Sequence, residues 1–196
     1  MSFEIKNNDE HIDYKCNLQG QRCIGITKAG HQCNRRTVKM LPTCYQHTKS
    51  KYGVEIKKSQ IPNAGDGLFT LKEFKANDTI VPYSGEPLSN QQLVDRYGPL
   101  TAPYGANESY NHNVDTACKR SLGSFINDAK NSNFTNNARW SVNYNLPHGQ
   151  QISIKARVNI PAHREIFVDY GREYWDGVRD YPNSTVITRK YKFRHL

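Results

Sequence analysis

The sequence predicts a mainly β fold: a β-rich α+β domain of short sheets behind a small N-terminal zinc-binding module. Three observations carry that reading. Short runs such as Val54-Glu55-Ile56-Lys57 and Ile152-Ser153-Ile154-Lys155-Ala156-Arg157-Val158 alternate apolar and polar residues, which gives each strand one face for a core. Helical signals are sparse, with one main candidate. Of five cysteines, Cys16, Cys23, Cys33 and Cys44 crowd into the first fifty residues, while Cys118 stands alone.

Met1 to Asp13 is polar and carries acids, which suits neither a secretory signal nor a typical transit peptide. Cys23, Cys33, Cys44 and His47 read as one Cys3His site for a single structural zinc. Zinc takes four soft or borderline ligands at tetrahedral angles, and the two-residue gap between Cys44 and His47 lets one turn supply two of them. Gly25 and Gly30 permit tight turns in a fragment too small for its own core. A pair of disulfides, or free thiols, is the alternative, and Cys16 and His31 are substitute ligands outside the best spacing. The stretch resembles a short zinc-binding repeat, C-x-G-x-T-K-x-G-x-x-C followed by C-x-x-H, of proteins from large DNA viruses and protists. Thr48 to Tyr52 is expected as a linker, so the chain divides into a zinc-binding extension (1–50), a main domain (51–180) and a basic tail (181–196).

Beyond the linker, Gly65-Asp66-Gly67 is a turn between strands, and Thr79-Ile80-Val81-Pro82-Tyr83 is a short strand. Ser89 to Tyr97 is the helical candidate, capped by Ser89 or Asn90 and stopped by Gly98-Pro99. Leu100 to Tyr110 and Asn131 to Asn137 are rich in Asn, Pro, Gly and Ser and read as loops. No apolar run approaches the roughly 20 residues of a spanning helix, so no membrane partner is expected. Twenty-seven basic against eighteen acidic residues leave a net charge of +9, which favours polyanions such as nucleic acid or chromatin. Arg189, Lys190, Lys192 and Arg194 concentrate that charge in the tail, whose default reading is a solvated end.

Four segments in order carry a family resemblance: Asn63-Ala64-Gly65-Asp66-Gly67-Leu68-Phe69, Tyr83-Ser84-Gly85-Glu86, Ser124-Phe125-Ile126-Asn127-Asp128, and Ile166-Phe167-Val168-Asp169-Tyr170-Gly171. Their order resembles the SET domain, whose pattern is a GxG turn, Y-x-G, R-F-I-N-H-S and E-L-x-x-D-Y-G. The small stand-alone SET proteins of large DNA viruses are the most similar in build, down to the G-x-x-Y-W ending matched by Tyr174-Trp175. The resemblance implies short sheets around a knot-like crossing, and protein-lysine methylation with S-adenosylmethionine. It places Ala64, Gly65, Asp66, Gly67, Asn127, Asp128, His112, Tyr170 and Trp175 at the cofactor. Asp66 would contribute backbone there, and Trp175 would cover the adenine. Tyr170 and Tyr83 become the catalytic pair, with Tyr83 and Val168 lining the lysine pocket. Asp128 replaces the family's histidine and Ser124 its arginine. Without this context, Gly-Asp-Gly is a common turn and buried tyrosines are ordinary core residues.

The implied substrate is a histone or other protein lysine, with nucleic acid or nucleosome contact through the basic surface and a homodimer left open. The implied setting is intracellular, at chromatin in a nucleus or in a viral factory or virion. Two alternatives stay open: a methyltransferase for non-histone protein, and a catalytically weak scaffold that binds nucleic acid or a chromatin partner. The Asp128 and Ser124 departures favour the scaffold, while Tyr170, Tyr83 and Asn127 oppose it.

Overall fold

The structure is a computed structural model that describes residues 2–6, 13–17, 20–37, 41–97, 102, 104–172, 174 and 175, the first two stretches in backbone alone. The basic tail and the Gly98-Pro99 stop lie outside the described residues.

In chain order, strands β1 (Ser2–Lys6) and β2 (Asp13–Asn17) pair as an antiparallel ribbon. The cysteine-rich segment leads into helix α1 (Tyr45–Tyr52). Strands β3 (Val54–Lys58) and β4 (Asp66–Thr70) follow, then β5 (Thr79–Tyr83) and β6 (Glu86–Leu88), helix α2 (Asn90–Tyr97), β7 (Gly105–Ser109) and β8 (His112–Asp115). A 3-10 turn at Leu122–Phe125 precedes β9 (Ala138–Val142) and β10 (Ile152–Ala156). The sheets are small and antiparallel: β1-β2, β3-β4, β5-β10-β9 and β6-β8-β7. The expected mainly β class is what the chain adopts. Among the described residues, no helix is long and apolar enough to cross a membrane.

The alternating strands put Val54 into the core with Leu68 beside it on β4, and Ile152, Ile154 and Ala156 of β10 do the same. One continuous cluster joins these to Val81, Tyr83, Phe125, Ile126, Val168 and Tyr170. Residues 165–168 thread between elements distant in sequence. Glu165 bridges Phe69 of β4, Phe167 bridges Asn127 in parallel, and Val168 bridges Ala138 of β9. That insertion joins three of the four motif segments: the one ending at Phe69, the one containing Asn127 and its own.

Three local expectations change. Thr48 to Tyr52, expected as a linker, form most of α1, with Cys44 at its N-cap and Gly53 closing it in the left-handed region (φ 66°). The helix is fixed from outside its own weak sequence pattern. Thr43 and Thr48 hydroxyls share a 2.8 Å hydrogen bond, and Lys49 pairs with Glu55 at 2.7 Å. Leu41, between the second and third cysteines of the zinc group, belongs to the main core. The loop expected over Leu100–Tyr110 contains β7, whose Gly-Ala-Asn-Glu-Ser sequence carries no strand signal. Buried Glu108 explains why it holds: its carboxylate accepts the Gly149 and Gln151 backbone N–H groups at 2.8 and 3.0 Å. Finally, the alternating run through Val158 stays a strand only to Ala156.

The helix expected from Ser89 forms over Asn90–Tyr97. Ser89 and Gln92 form a reciprocal capping box, with the Gln92 N–H donating to Ser89 Oγ and the Ser89 N–H donating to Gln92 Oε1.

Candidate active site and metal centre

The Gly65-Asp66-Gly67 turn is shaped by two different demands. Gly65 has φ +75°, a backbone conformation that side chains disfavour. Gly67 leaves room for Glu165, since a Cβ there would lie 2.1 Å from the Glu165 Oε1 atom. Glu165 is 2% exposed and anchors the turn from below. Its Oε1 accepts from Ser59 Oγ at 2.7 Å and Asn127 Nδ2 at 3.0 Å, and its Oε2 accepts the Gln60 N–H at 2.7 Å. Asn127 Nδ2 also lies 3.2 Å from the Asp66 carbonyl, joining the turn to the threaded strand. Asp66 therefore engages Asn127 through its backbone carbonyl. Sequence reasoning passed over Glu165, though it opens the Glu-x-x-x-Asp-Tyr strand end. Gly67→Ala should lose about 1–3 kcal/mol, because a hydrogen-bonded carboxylate must move aside; denaturant titration would read it as a lower midpoint.

Two buried tyrosines belong to the same core cluster. The Tyr170 hydroxyl donates to the Ile126 carbonyl at 2.7 Å, and the Tyr83 hydroxyl donates to the Tyr104 carbonyl at 2.7 Å while accepting from Thr116. Both are almost wholly buried, and burial pushes both hydroxyls above the ordinary tyrosine range. For Tyr170, the neighbouring Tyr174 and Asp128 push the same way. At neutral pH both keep their protons. Trp140 packs edge-on against Tyr83 and donates its Nε1–H to the Asp169 carbonyl at 2.8 Å, so it braces both motif segments. Val168 is fully buried, and its N–H donates to the Asn127 carbonyl.

The Y-x-G segment has its own physical reason. A Cβ on Gly85 would sit 2.1 Å from the Asp115 carbonyl oxygen. The Asp115 carboxylate accepts from Tyr97 and from Arg96 at 2.6 Å, and Arg96 also reaches Glu86 at 2.8 Å. Those carboxylates outweigh the effect of burial and hold the Arg96 guanidinium charged. Tyr104 and Thr116 hold the Tyr83 hydroxyl, and both lie outside the four motif segments.

Asp128 and Trp175 contact each other directly, the indole Nε1 lying 2.9 Å from Asp128 Oδ2. Ser124 is buried, its hydroxyl donating to the Ser121 carbonyl at 2.5 Å. The structure does not bring His112 into this group. Its exposed ring stacks on His148 at 3.6 Å, and His148 lies 3.6 Å from Glu108. Tyr110 is 97% exposed, while Phe134 stacks on Phe167 at 5.2 Å.

The ligand atoms of Cys23, Cys33, Cys44 and His47 all lie within 4.8 Å of one another, and the three cysteines are free thiols. Tetrahedral zinc with bonds of about 2.3 Å to sulfur and 2.0 Å to nitrogen separates S from N by about 3.5 Å. His47 Nδ1 is 3.4 Å from Cys23 Sγ and 3.5 Å from Cys44 Sγ. The far ring nitrogen, Nε2, is 3.0 Å from the Ile26 carbonyl, which fixes the tautomer that leaves Nδ1 as a ligand. Gly25 lies under the His47 ring, where a Cβ would approach within 2.4 Å. Cys23 Sγ accepts the Gly25 and Cys44 backbone N–H groups. Burial raises the Cys44 thiol, but hydrogen bonds from His47 outweigh it and bring the group down to about 6. This donor set fits zinc. His31 stands outside the group, and the side chain of Cys16 lies outside the described residues.

A family profile described as SET domain matches residues 65–171, more than half of the chain. The chain belongs to the SET domain family, the fold of most protein-lysine methyltransferases. Among solved structures it is similar to a chain of ctPRC2 in complex with H3K27me3 and H3K27M, with TM-score 0.52 and 26% identity over 71% of this chain and 16% of that one. It is similar also to a chain of an active polycomb repressive complex 2 in the basal state, with TM-score 0.52 and 27% identity over 61% of this chain and 15% of that one. A chain of the Chaetomium thermophilum polycomb repressive complex 2, at 24% identity and TM-score 0.50 over 67% of this chain and 16% of that one, shares the fold. This chain thus spans about a sixth of the length of those it matches. No curated protein matches it.

Proposed function

We propose that this protein is an S-adenosylmethionine-dependent protein-lysine N-methyltransferase acting on a histone or histone-like tail. The observation that carries the reading is that Tyr170 and Tyr83, both protonated and buried, share one core cluster, with Tyr170 bonded to the 125–128 segment through the Ile126 carbonyl. The cofactor would supply an electrophilic methyl on a sulfonium. The residues fit it: Gly65 offers a turn without a side chain, Ala64 to Asp66 keep partial exposure, and half-buried Trp175 offers a flat ring. Asn127 and the backbone at Asp128 would hold the amino-acid end.

A free lysine has a pKa of about 10.4, so presenting it neutral at pH 7 costs about 4.6 kcal/mol. A narrow channel with Tyr83 and Val168 on its wall would lower that cost by disfavouring the ammonium. A tyrosine proton committed to a carbonyl, as Tyr170 is to Ile126, leaves its oxygen as an acceptor. Such an oxygen can orient an amine N–H and hold polarised C–H groups. Alignment of amine and methyl supplies the rest through proximity. No strong base is required.

The histone substrate is supported by the similar chain seen with H3K27me3 and H3K27M, and a chromatin or nuclear setting follows from it. The build like small viral SET proteins suits a viral factory equally. A +9 enzyme would not attract a free basic tail, so nucleosomal nucleic acid is the better lure. Incubation with labelled S-adenosylmethionine and a panel of histones, nucleosomes and unrelated basic proteins tests the acceptor. Labelling of nucleosomal histone is expected; labelling confined to non-histone protein would replace it, and none would favour the scaffold.

Val168, two residues before Tyr170, should set how many methyls are added. It carries neither a hydroxyl to hold a water nor a ring to fill the pocket, so di- or trimethyl-lysine should accumulate. Mass spectrometry of a peptide product at long reaction times checks this, and monomethyl-lysine alone would refute it.

A further inference from the structure

Asp128 is 6% exposed, and its carboxylate is reached by four neutral N–H donors. Oδ2 accepts the Tyr170 backbone N–H at 2.7 Å and the Trp175 indole Nε1–H at 2.9 Å. Oδ1 accepts the Lys130 backbone N–H at 2.9 Å and the Asn136 side-chain amide at 3.0 Å. One oxygen therefore ties the backbone of the candidate catalytic tyrosine to an indole five residues later. The other ties both to the loop that follows the 125–128 segment.

The rings record the result. Tyr170 and Trp175 lie nearly parallel, 15° apart with centroids 6.5 Å from each other, and Tyr174 stands edge-on to both at 4.9 Å. The Lys130 ammonium lies 5.3 Å from the Trp175 ring, adding a cation–π contact. Two convergent donors on each side need two acceptor oxygens on one short side chain. A neutral histidine has a single acceptor nitrogen, and asparagine a single acceptor oxygen. Only a carboxylate satisfies all four, with bonds strengthened by its charge.

We propose that Asp128 is a positioning residue that latches Trp175 over the cofactor site and sets Tyr170 in register with it. This role rests on the S-adenosylmethionine reading above. The aspartate that departs from the family histidine thereby becomes a working counterpart of the Tyr-Trp ending.

Asp128→Asn keeps the shape and removes one acceptor and the charge. The apparent KM for S-adenosylmethionine should rise about ten-fold, the order of one charge-assisted hydrogen bond, while kcat falls less than about three-fold. Fluorescence of the free protein should shift to longer wavelength, because Trp140, the other tryptophan, stays buried. Trp175→Phe keeps a ring but deletes the indole N–H, and should weaken the cofactor similarly. The double variant should add less than about two-fold, since both changes break one contact.

Cofactor binding to the wild type by calorimetry comes first, and its absence would overturn the cofactor reading and the latch with it. Where the wild type binds, unchanged affinity and emission in Asp128→Asn would overturn the latch alone. So would effects of the two variants that multiply. Should Asp128→Asn not fold, Trp175→Phe decides, with unchanged affinity overturning the latch.

Discussion

Tyr170→Phe should leave the fold and cofactor affinity in place and lower methyl transfer about 10²-fold, the usual cost of one preorganised polar group at a reacting centre. The substitution removes one oxygen from a ring that keeps its contacts with Tyr174 and Trp175. It also leaves the Ile126 carbonyl without the Tyr170 donor, which costs about 1–3 kcal/mol of stability. Circular dichroism and calorimetric titration with S-adenosylmethionine separate that loss from the catalytic one. A variant that folds, binds and turns over like the wild type would remove Tyr170 from the chemistry.

Metal removal should have the second large effect, on stability. Metal analysis of protein purified without chelator should find about one zinc per chain. The sequence alone suggests a separable module whose loss would spare the main domain. The structure ties it in, because Leu41 sits in the main core and α1, which supplies His47, runs through Gly53 directly into β3. β3 in turn pairs along its length with β4, from Val54 opposite Thr70 to Lys58 opposite Asp66. Releasing Leu41 costs about 2–5 kcal/mol by analogy with leucine truncation. At about 2–4 °C per kcal/mol for a domain of this size, chelation or Cys33→Ser should lower the main melting transition by roughly 5–15 °C. A main transition that does not move, or protein that contains no zinc, would count against the coupled metal centre.

How far the sequence could be read depended on where each interaction is written. Strands whose alternation faces a core, such as Ile152–Ala156, were legible because period-two patterning reflects burial directly. The ligand set Cys23, Cys33, Cys44 and His47 was legible because metal chemistry restricts residue type and spacing together. β7 was not, because its stability comes from Glu108 bonding backbone more than forty residues away. α1 was missed for a related reason: its supports, Thr43 and Glu55, lie outside the helix. Within the site, glycine spacing pointed to the turn, but the demand on Gly67 comes from Glu165, a long-range neighbour. Asp128 read as a weakening departure because its four donors converge only in three dimensions.

The most direct test of the central claim follows the methyl group itself. Zinc-loaded wild-type protein and Tyr170→Phe would be incubated with methyl-labelled S-adenosylmethionine and nucleosomes, and the label located by digestion and mass spectrometry. The expected result is label on a lysine ε-amine with the wild type, reduced about 10²-fold with the variant. Equal labelling by both proteins, or cofactor bound by the wild type with no lysine labelled in any acceptor, would contradict it.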